Sequence, residues 1–229
     1  MRYAVLGTGI VGRTVAAKLT SLGHEVVIGT RRPEATLART EPDFLGNPPF
    51  VTWHADHPAV PLRTFAEAAA FGETVVNTTA GAAALDALAS AGSPNLAGKV
   101  LIDIANPLDF SAGMPPSLSP VSTDSLGEQI QRAFPETKVV KTLNTMPCRI
   151  MIEPGRVAGA HDVFVSGEDT DAKKHVTELL LSFGWPEGAI VDLGGIDTAR
   201  GTEMLFPLGW SLMGALGHGD FNYRVQGAR

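Results

Sequence analysis

The glycine pattern after the first apolar run constrains the fold of this chain more than any other feature. The run Tyr3-Ala4-Val5-Leu6 leads directly into the turn Gly7-Thr8-Gly9-Ile10-Val11-Gly12. In a strand-turn-helix unit the first glycine permits a tight turn, the second lets a ligand approach the backbone, and the third lets helix and strand pack closely. The helix start also favours an anion such as a pyrophosphate. We therefore expect Gly7, Thr8, Gly9, Ile10, Val11 and Gly12 to form a dinucleotide site.

The residues around this turn have the pattern that such a unit requires. Apolar residues recur at helical spacing after the turn, at Val11, Val15, Leu19 and Leu22. Gly23 and His24 are typical of a helix end, and a second apolar strand follows at residues 25–29. The alternative is a glycine-rich turn in an unrelated α/β protein.

The end of the second strand indicates which dinucleotide would bind. Enzymes that use NAD usually place an Asp or Glu there, which binds the ribose 2′-hydroxyl. This chain has Thr30, Arg31 and Arg32 instead, and Glu25 lies at the opposite end of the strand. Because guanidinium groups pair with phosphate oxygens, these residues favour the 2′-phosphate of NADP. The alternative is that both arginines are only solvated loop residues.

Apolar strands and helices continue to alternate along the chain, which predicts an α/β fold. Strands are expected near 50–53, 74–77, 100–104 and 138–142, and helices near 64–70, 82–91 and 125–134. A strand at 163–166, a helix at 171–183 and a strand at 190–193 follow. We interpret residues 1–150 as an NADP-binding domain with a Rossmann-type, doubly wound parallel sheet. Residues 151–229 would form a small C-terminal α/β extension that contributes to a dimer contact.

The ends of three predicted strands supply the other candidate site residues, because ligands of such sheets lie at the carboxyl ends of the strands. Cofactor-binding candidates here are Thr78, Thr79, Ala80, Asn106 and Pro107, and candidates facing an acceptor are Asn106, Asn144, Thr145 and Met146. The segments that follow the strands carry small or amide side chains and no Lys, His or Tyr. The alternative is that Asn and Thr only cap the following helices and turns.

Composition narrows the partners and the compartment. The net charge is −6, 18% of residues are charged, and no basic stripe suggests nucleic acid. No apolar run reaches membrane-spanning length and no signal peptide is recognisable. The single cysteine, Cys148, excludes an internal disulfide, suits the cytoplasm and is expected to be a packing residue. His54 and His57 are expected in a proline-flanked loop, without a metal.

The segment 197–216 carries apolar residues on two faces. Leu205, Leu208 and Leu212 lie on one face, and Phe206, Trp210 and Met213 on another. Burial on both faces predicts contact with the sheet and with a second subunit, hence a homodimer. The alternative is a helix buried within one monomer. Pro207 should kink the segment.

The motifs together resemble the coenzyme F420-dependent NADP oxidoreductase family. The resemblance depends on the Gly7 to Gly12 turn, on residues 29–32, on residues 139–147 (VVKTLNTMP) and on residues 220–225 (DFNYRV). It implies a Rossmann domain that binds NADP, and a small C-terminal portion that helps form the deazaflavin pocket and the dimer. The resemblance assigns the pyrophosphate turn to Thr8, Gly9, Ile10 and Val11, the 2′-phosphate clamp to Thr30, Arg31 and Arg32, the nicotinamide side to Thr79 and Ala80, and the deazaflavin loop to Asn144, Thr145 and Met146.

The scarcity of acid and base groups at the strand ends favours one type of chemistry. Carbonyl reduction normally needs a positioned proton donor, whereas hydride transfer between two cofactor rings depends mainly on holding them face to face. Small residues such as Thr79, Ala80, Gly81 and Ala105 would allow such stacking. We therefore expect an NADPH-dependent oxidoreductase whose small-molecule acceptor is coenzyme F420. The alternatives are a reductase of a flavin or metal chelate, and a non-catalytic NADPH sensor.

Overall fold

The computed structural model describes residues 1–43 and 46–227, and its centre is an eight-stranded sheet. The strands of this sheet are β1 (Arg2–Leu6), β2 (Glu25–Thr30), β3 (Leu62–Thr64), β4 (Thr74–Asn77), β5 (Val100–Asp103), β8 (Lys138–Thr142), β9 (Val163–Ser166) and β10 (Ile190–Asp192). A separate hairpin is formed by β6 (Leu108–Asp109) and β7 (Ser117–Leu118). The hairpin follows the carboxyl end of β5.

Helices cover both faces of the sheet, and each face has its own apolar core. The helices are α1 (Ile10–Ser21), α2 (Pro33–Leu37), α3 (Phe50–Asp56), α4 (Phe65–Phe71), α5 (Gly81–Ala91), α6 (Ser93–Leu96), α7 (Leu126–Ala133), α8 (Cys148–Ile152), α9 (Thr170–Phe183) and α10 (Ala199–Leu216). Alternate residues of β1 serve opposite cores, because side chains alternate along a strand. Tyr3 and Val5 join the core beneath α1, whereas Ala4 and Leu6 join the core beneath α4.

The strand order confirms the Rossmann-type sheet and locates its ligand edge. The order is β10-β9-β8-β5-β4-β1-β2-β3, with β1 between β2 and β4. The direction of strand addition reverses at β1, and ligands of such sheets bind at this reversal, outside the carboxyl ends of the strands. The turn after β1 and the loops after β4, β5 and β8 therefore share one edge.

The C-terminal extension continues this sheet and introduces its one antiparallel pairing among the described strands. β9 pairs antiparallel with β8, and β10 pairs parallel with β9. The parallel sheet predicted for residues 1–150 is therefore confirmed for β1–β5 and β8, and the antiparallel β8–β9 pair joins the extension to it. The division at residue 150 stays a prediction, and residues 228 and 229 of the extension lie outside the described part.

The strand predicted at 50–53 is wrong, because these residues begin helix α3. The ring of Phe50 lies 5.5 Å from that of His54, and the ring of Trp53 lies 4.1 Å from that of His57. Such contacts four residues apart stabilise a helix and cannot form in an extended chain. His54 therefore lies in a helix that His57 terminates, not in a loop. The third strand of this half of the sheet is β3 instead.

One helix prediction needs a smaller correction. Leu22 lies just after α1 and is 37% exposed, so it does not extend the buried face formed by Val15 and Leu19. Pro207 lies inside helix α10, and the kink expected there stays a prediction. No helix among the described residues is long and apolar enough to cross a membrane.

Candidate active site

The three glycines after β1 have three different environments, as the motif requires. Gly7 has a φ of +123°, and a Cβ there would stand 2.8 Å from the carbonyl oxygen of Thr78. A Cβ on Gly12 would stand 2.3 Å from the carbonyl oxygen of Gly7. A Cβ on Gly9 would meet nothing within 4 Å. Gly7 and Gly12 are therefore needed for the backbone itself, whereas the space beside Gly9 is open to a ligand.

The start of α1 leaves its backbone donors available to an anion. Among the described residues, no side chain caps this helix and its first turn contains no acid. Arg13 holds the preceding turn in place. It donates from Nε to the carbonyl oxygen of Thr8 (2.8 Å) and from Nη1 to the carbonyl oxygen of Pro48 (2.5 Å). Sequence analysis missed Arg13. Its only sequence signal is a basic residue one position after the third glycine.

A surface cavity of about 640 Å³ lies beside the end of β2. Arg31 and Arg32, the residues expected to bind the 2′-phosphate, line it, and Arg63 lines it as well. Arg63 is on β3, opposite Gly29 of β2. Within the described residues, neither Arg31 nor Arg32 forms an ion pair. The side chain of Thr30 is buried, and its hydroxyl lies 3.0 Å from that of Thr36, inside the turn.

Two carboxylates also line this cavity, so its charge is only partly positive. Glu34 is exposed, whereas Glu67 accepts hydrogen bonds from the hydroxyl (2.7 Å) and the N–H (3.0 Å) of Thr64. These bonds lower the pKa of the Glu67 carboxyl, which is therefore ionised at neutral pH. Three guanidinium groups thus face two carboxylates. The cavity retains one excess positive charge for an anionic ligand.

The loops after β5 and β8 are joined by their asparagines. Asn106 donates from Nδ2 to the carbonyl oxygen of Asn144 (2.7 Å), and Asn144 donates from Nδ2 to Oδ1 of Asn106 (3.0 Å). Asn144 is buried, so it can act on a ligand mainly by holding Asn106. Leu143 has a φ of +62°, an uncommon value for a residue with a side chain. This backbone turn directs the chain back across the edge of the sheet.

The remaining predicted residues differ in what they offer. Thr78 donates its hydroxyl to the carbonyl oxygen of Leu6, which ties β4 to β1. Ala80 is exposed, whereas Pro107 and Met146 are buried. The hydroxyl of Thr145 is buried and has no hydrogen-bond partner among the described residues. A buried polar group without a partner is costly, so this hydroxyl is an exception among the buried polar groups of the described residues.

A cluster of buried charged side chains contacts the loop after β5. The sequence patterns did not predict this cluster. Lys141 of β8 is fully buried, and its Nζ lies 2.8 Å from both Asp103 and Glu203. Burial alone would lower the pKa of Lys141, but the two carboxylates raise it, so the lysine stays protonated. Glu203 also accepts from the N–H groups of Leu126 and Gly127 at the start of α7. The sequence showed only a second lysine in the strand of sequence KVVKT.

The C-terminal motif at residues 220–225 fastens the end of the chain to the sheet. Buried Asp162 accepts from Arg224 (2.5 Å) and from the N–H of Val225 (2.7 Å). The hydroxyl of Tyr223 donates to the carbonyl oxygen of Leu205 in α10 (3.2 Å). The contacts of this motif are therefore structural. They fix the segment after α10 to that helix and to Asp162, directly before β9.

Two other predicted features concern the cysteine and a metal site. Cys148 is half-buried at the start of α8, and the hydroxyl of Thr14 lies 3.6 Å from its sulfur. Within residues 1–43 and 46–227, no three His, Cys, Asp or Glu side chains are close enough to hold a metal ion.

The sheet order and the glycine turn define a Rossmann-type dinucleotide-binding protein, and comparison with known proteins extends this assignment. The model of the family described as NADP oxidoreductase, coenzyme F420-dependent, matches residues 2–107. A solved structure from Arthrobacter sp. FB24, provisionally assigned as an F420-dependent NADP reductase, is 59% identical. That match covers 98% of this chain and 99% of the other, with a TM-score of 0.93. The chain therefore belongs to the family of coenzyme F420-dependent NADP oxidoreductases.

Two curated proteins are more distant relatives. The F420-dependent NADP reductase of Methanothermobacter marburgensis is 27% identical over 214 residues, which cover 91% of this chain and 90% of that protein. Metalloreductase STEAP3 of Rattus norvegicus is 25% identical over 204 residues, which cover 89% of this chain but 36% of the rat protein. This chain thus corresponds to about a third of that relative's length.

Proposed function

We propose that this protein transfers hydride between NADPH and coenzyme F420. The observation that carries the proposal is the composition of the shared edge. The loops after β4, β5 and β8 contain Thr79, Asn106 and Thr145, and none of the site residues predicted in these three loops is an acid or a base. Such an edge suits a reaction in which positioning, and not proton transfer by a side chain, determines the rate. Family membership supports the same acceptor.

The residues divide into a part that binds the nucleotide and a part that orients the rings. The turn at residues 7–12 and the N-terminus of α1 would hold the pyrophosphate, and Arg31 and Arg32 the 2′-phosphate. Thr79 and Ala80 would border the nicotinamide. Asn106, held by Asn144, and the free hydroxyl of Thr145 would face the acceptor. Bound NADPH would supply a hydride from C4 of its nicotinamide. The acceptor ring would take up this hydride together with one proton from solvent.

The direct test is an acceptor assay with purified protein. NADPH and oxidised deazaflavin should give a loss of the visible absorbance of the deazaflavin, much faster than simple ketones or hydroxy acids are reduced. NADH should be a poorer donor. Tight NADPH binding without any deazaflavin reduction would contradict the proposal.

A reductase of metal chelates is a second candidate, favoured by one observation. The match to the rat metalloreductase covers most of this chain, although little of the relative. Ferric chelates and flavins should therefore be assayed in parallel. A rate with either that exceeds the rate with deazaflavin would favour this second function.

We also propose that the protein acts as a cytoplasmic homodimer in which α10 forms the interface. The second half of this helix has no fully buried apolar residue, and Leu208 and Leu216 are about half exposed. Met204 is 41% exposed on the same side of the helix. Soluble proteins seldom leave such a stripe bare, and a second copy would cover it. Phe206 and Trp210 are partly buried in the monomer, so Leu208 is a more direct probe than either.

A further inference from the structure

A row of buried polar side chains crosses four neighbouring strands just below the candidate active site. Asn77, Asp103 and Lys141 are register partners on β4, β5 and β8, and Ser166 continues the row on β9. All four side chains are buried. Partners in register point to the same face of a sheet, so these side chains lie side by side within an apolar layer. We refer to these four residues as the polar row.

The polar row holds the loop after β5 through the carbonyl oxygen and the N–H of Ala105. Lys141 donates from Nζ to the carbonyl oxygen of Ala105, and Asp103 accepts from the N–H of Ala105 with Oδ1 (3.2 Å). Ala105 directly precedes Asn106, which faces the acceptor in the proposed function. The two bonds therefore fix the position from which Asn106 projects.

The same row holds the loop after β4. Asn77 donates from Nδ2 to Asp103 (2.8 Å), and its Oδ1 accepts from both the N–H (3.2 Å) and the hydroxyl (2.7 Å) of Thr79. Thr79 is the residue proposed to border the nicotinamide. A continuous chain of hydrogen bonds therefore joins Thr79 to Lys141 and, through it, to Ala105.

The charges of the cluster indicate a role other than stability. One lysine faces two carboxylates, and the second carboxylate, Glu203, is compensated by the N–H groups at the start of α7. Well-packed apolar side chains often stabilise a core at least as well as a buried ion pair does. What they cannot do is hold a carbonyl and an N–H at defined points, because that needs directional hydrogen bonds.

We propose that Lys141 is a positioning residue for hydride transfer. It holds Asn106 through Ala105, and Thr79 through Asp103 and Asn77, at the separation that two stacked rings require. This inference rests on the proposed function. It assigns Lys141 no contact with either ring, because its Nζ is fully occupied by Asp103, Glu203 and Ala105.

The test is the double variant Lys141→Met with Asp103→Asn, which keeps the net charge of the cluster. Asn at 103 can still accept from Asn77 and Ala105, so only the lysine bonds are lost. We expect the amides of residues 104–106 to exchange hydrogen about tenfold faster or more, measured by mass spectrometry with NADPH bound. We expect the transfer rate at saturating substrates to fall about tenfold or more. The dissociation constant for NADPH should stay within about twofold, because the turn and Arg31 are untouched.

A matched control is Arg200→Gln, which breaks the nearby ion pair between Arg200 of α10 and Glu128 of α7. It should lower the melting temperature without changing loop exchange or transfer rate. If the double variant behaves like this control, the cluster serves stability alone and the inference is overturned. If the double variant does not fold, Asn77→Leu removes the hydrogen bonds of Asn77 with Thr79 and Asp103 and leaves those of Lys141 in place. It should then accelerate exchange at residues 78–81 and slow transfer by about threefold or more, and unchanged values would overturn the inference.

The exchange measurement separates this inference from the proposed function. If wild-type protein binds NADPH but does not reduce deazaflavin, the proposed function fails, and the rate is measured with whichever flavin or chelate is reduced. Unchanged exchange of the loops in the double variant refutes the positioning role whichever acceptor the protein uses.

Discussion

Gly81 and Asn106 approach so closely that a Cβ on Gly81 would stand 2.0 Å from the carbonyl oxygen of Asn106. The start of α5 therefore meets the loop after β5 backbone to backbone. The sequence suggests that Gly81 leaves space for a stacked ring. In the structure the backbone of Asn106 fills that space. Because Asn106 is also bound to Asn144, three loops at the ligand edge form one connected unit.

Arg31 should determine the choice of cofactor. Each charge-assisted hydrogen bond contributes about 1.5–3 kcal/mol, so Arg31→Ala should weaken NADPH binding about tenfold or more. NADH binding, measured by the same fluorescence titration, should change little. Arg39→Ala, an exposed cation outside the cavity, is the control. Equal losses for both cofactors would mean that Arg31 does not bind the 2′-phosphate.

Arg63 is expected to contribute to the same cavity, although no sequence motif identifies it. It faces the open space with Arg31 and Arg32, and its guanidinium lies 6.0 Å from the ring centre of Phe71. Arg63→Ala should weaken NADPH binding by about threefold or more through loss of a cation. A loss of affinity for NADPH alone would mean that Arg63 contacts the 2′-phosphate. Equal losses of affinity for NADPH and NADH would mean that it contacts the adenine. No change for either cofactor contradicts the prediction.

Gly9→Ala should separate binding from folding. The Gly9 backbone has a φ of −71°, which alanine adopts freely, and the added methyl group meets nothing within 4 Å. The melting temperature should therefore be unchanged, while NADPH affinity falls by about tenfold or more because the pyrophosphate must approach this backbone. Gly12→Ala should instead destabilise the fold, since its Cβ would stand 2.3 Å from Gly7. Normal NADPH affinity in the Gly9 variant would refute the predicted site.

Thr145→Val tests whether the orphaned hydroxyl serves a ligand. No protein hydrogen bond is lost among the described residues, so stability should be unchanged or slightly higher. If the hydroxyl binds the acceptor, the KM for deazaflavin should rise by about threefold to tenfold, the worth of one hydrogen bond. Thr142→Val is the matched control, because its hydroxyl donates to Phe164 (2.7 Å) and its loss should lower stability. An unchanged KM in the Thr145 variant would remove this residue from the site.

Leu208→Glu should convert a dimer into monomers, measured by light scattering. A carboxylate cannot be buried without a partner in an apolar interface. Leu181→Glu is the control, because Leu181 is 42% exposed on α9 and Leu208 is 49% exposed on α10. Wild-type protein that is already monomeric at micromolar concentration would contradict the proposed interface.

The sequence predicted most accurately those features that depend on local pattern. The three glycines and the alternation of strands and helices are each readable within a few residues, because turn geometry and periodic burial are local properties. The same kind of reasoning failed at residues 50–53. There an apolar run with strand propensity forms a helix, since Phe50 and His54 pack their rings one turn apart.

Long-range relations were decided only by the tertiary structure. Arg63 joins Arg31 because β3 pairs with β2, and β9 runs antiparallel to β8, which the alternation of elements does not reveal. Glu203 lies 62 positions after Lys141 in the sequence, yet the two form one buried cluster. The sequence shows which residues are polar. The contact between a buried lysine and its carboxylates depends on the register of strands and the packing of helices, and no local pattern specifies these.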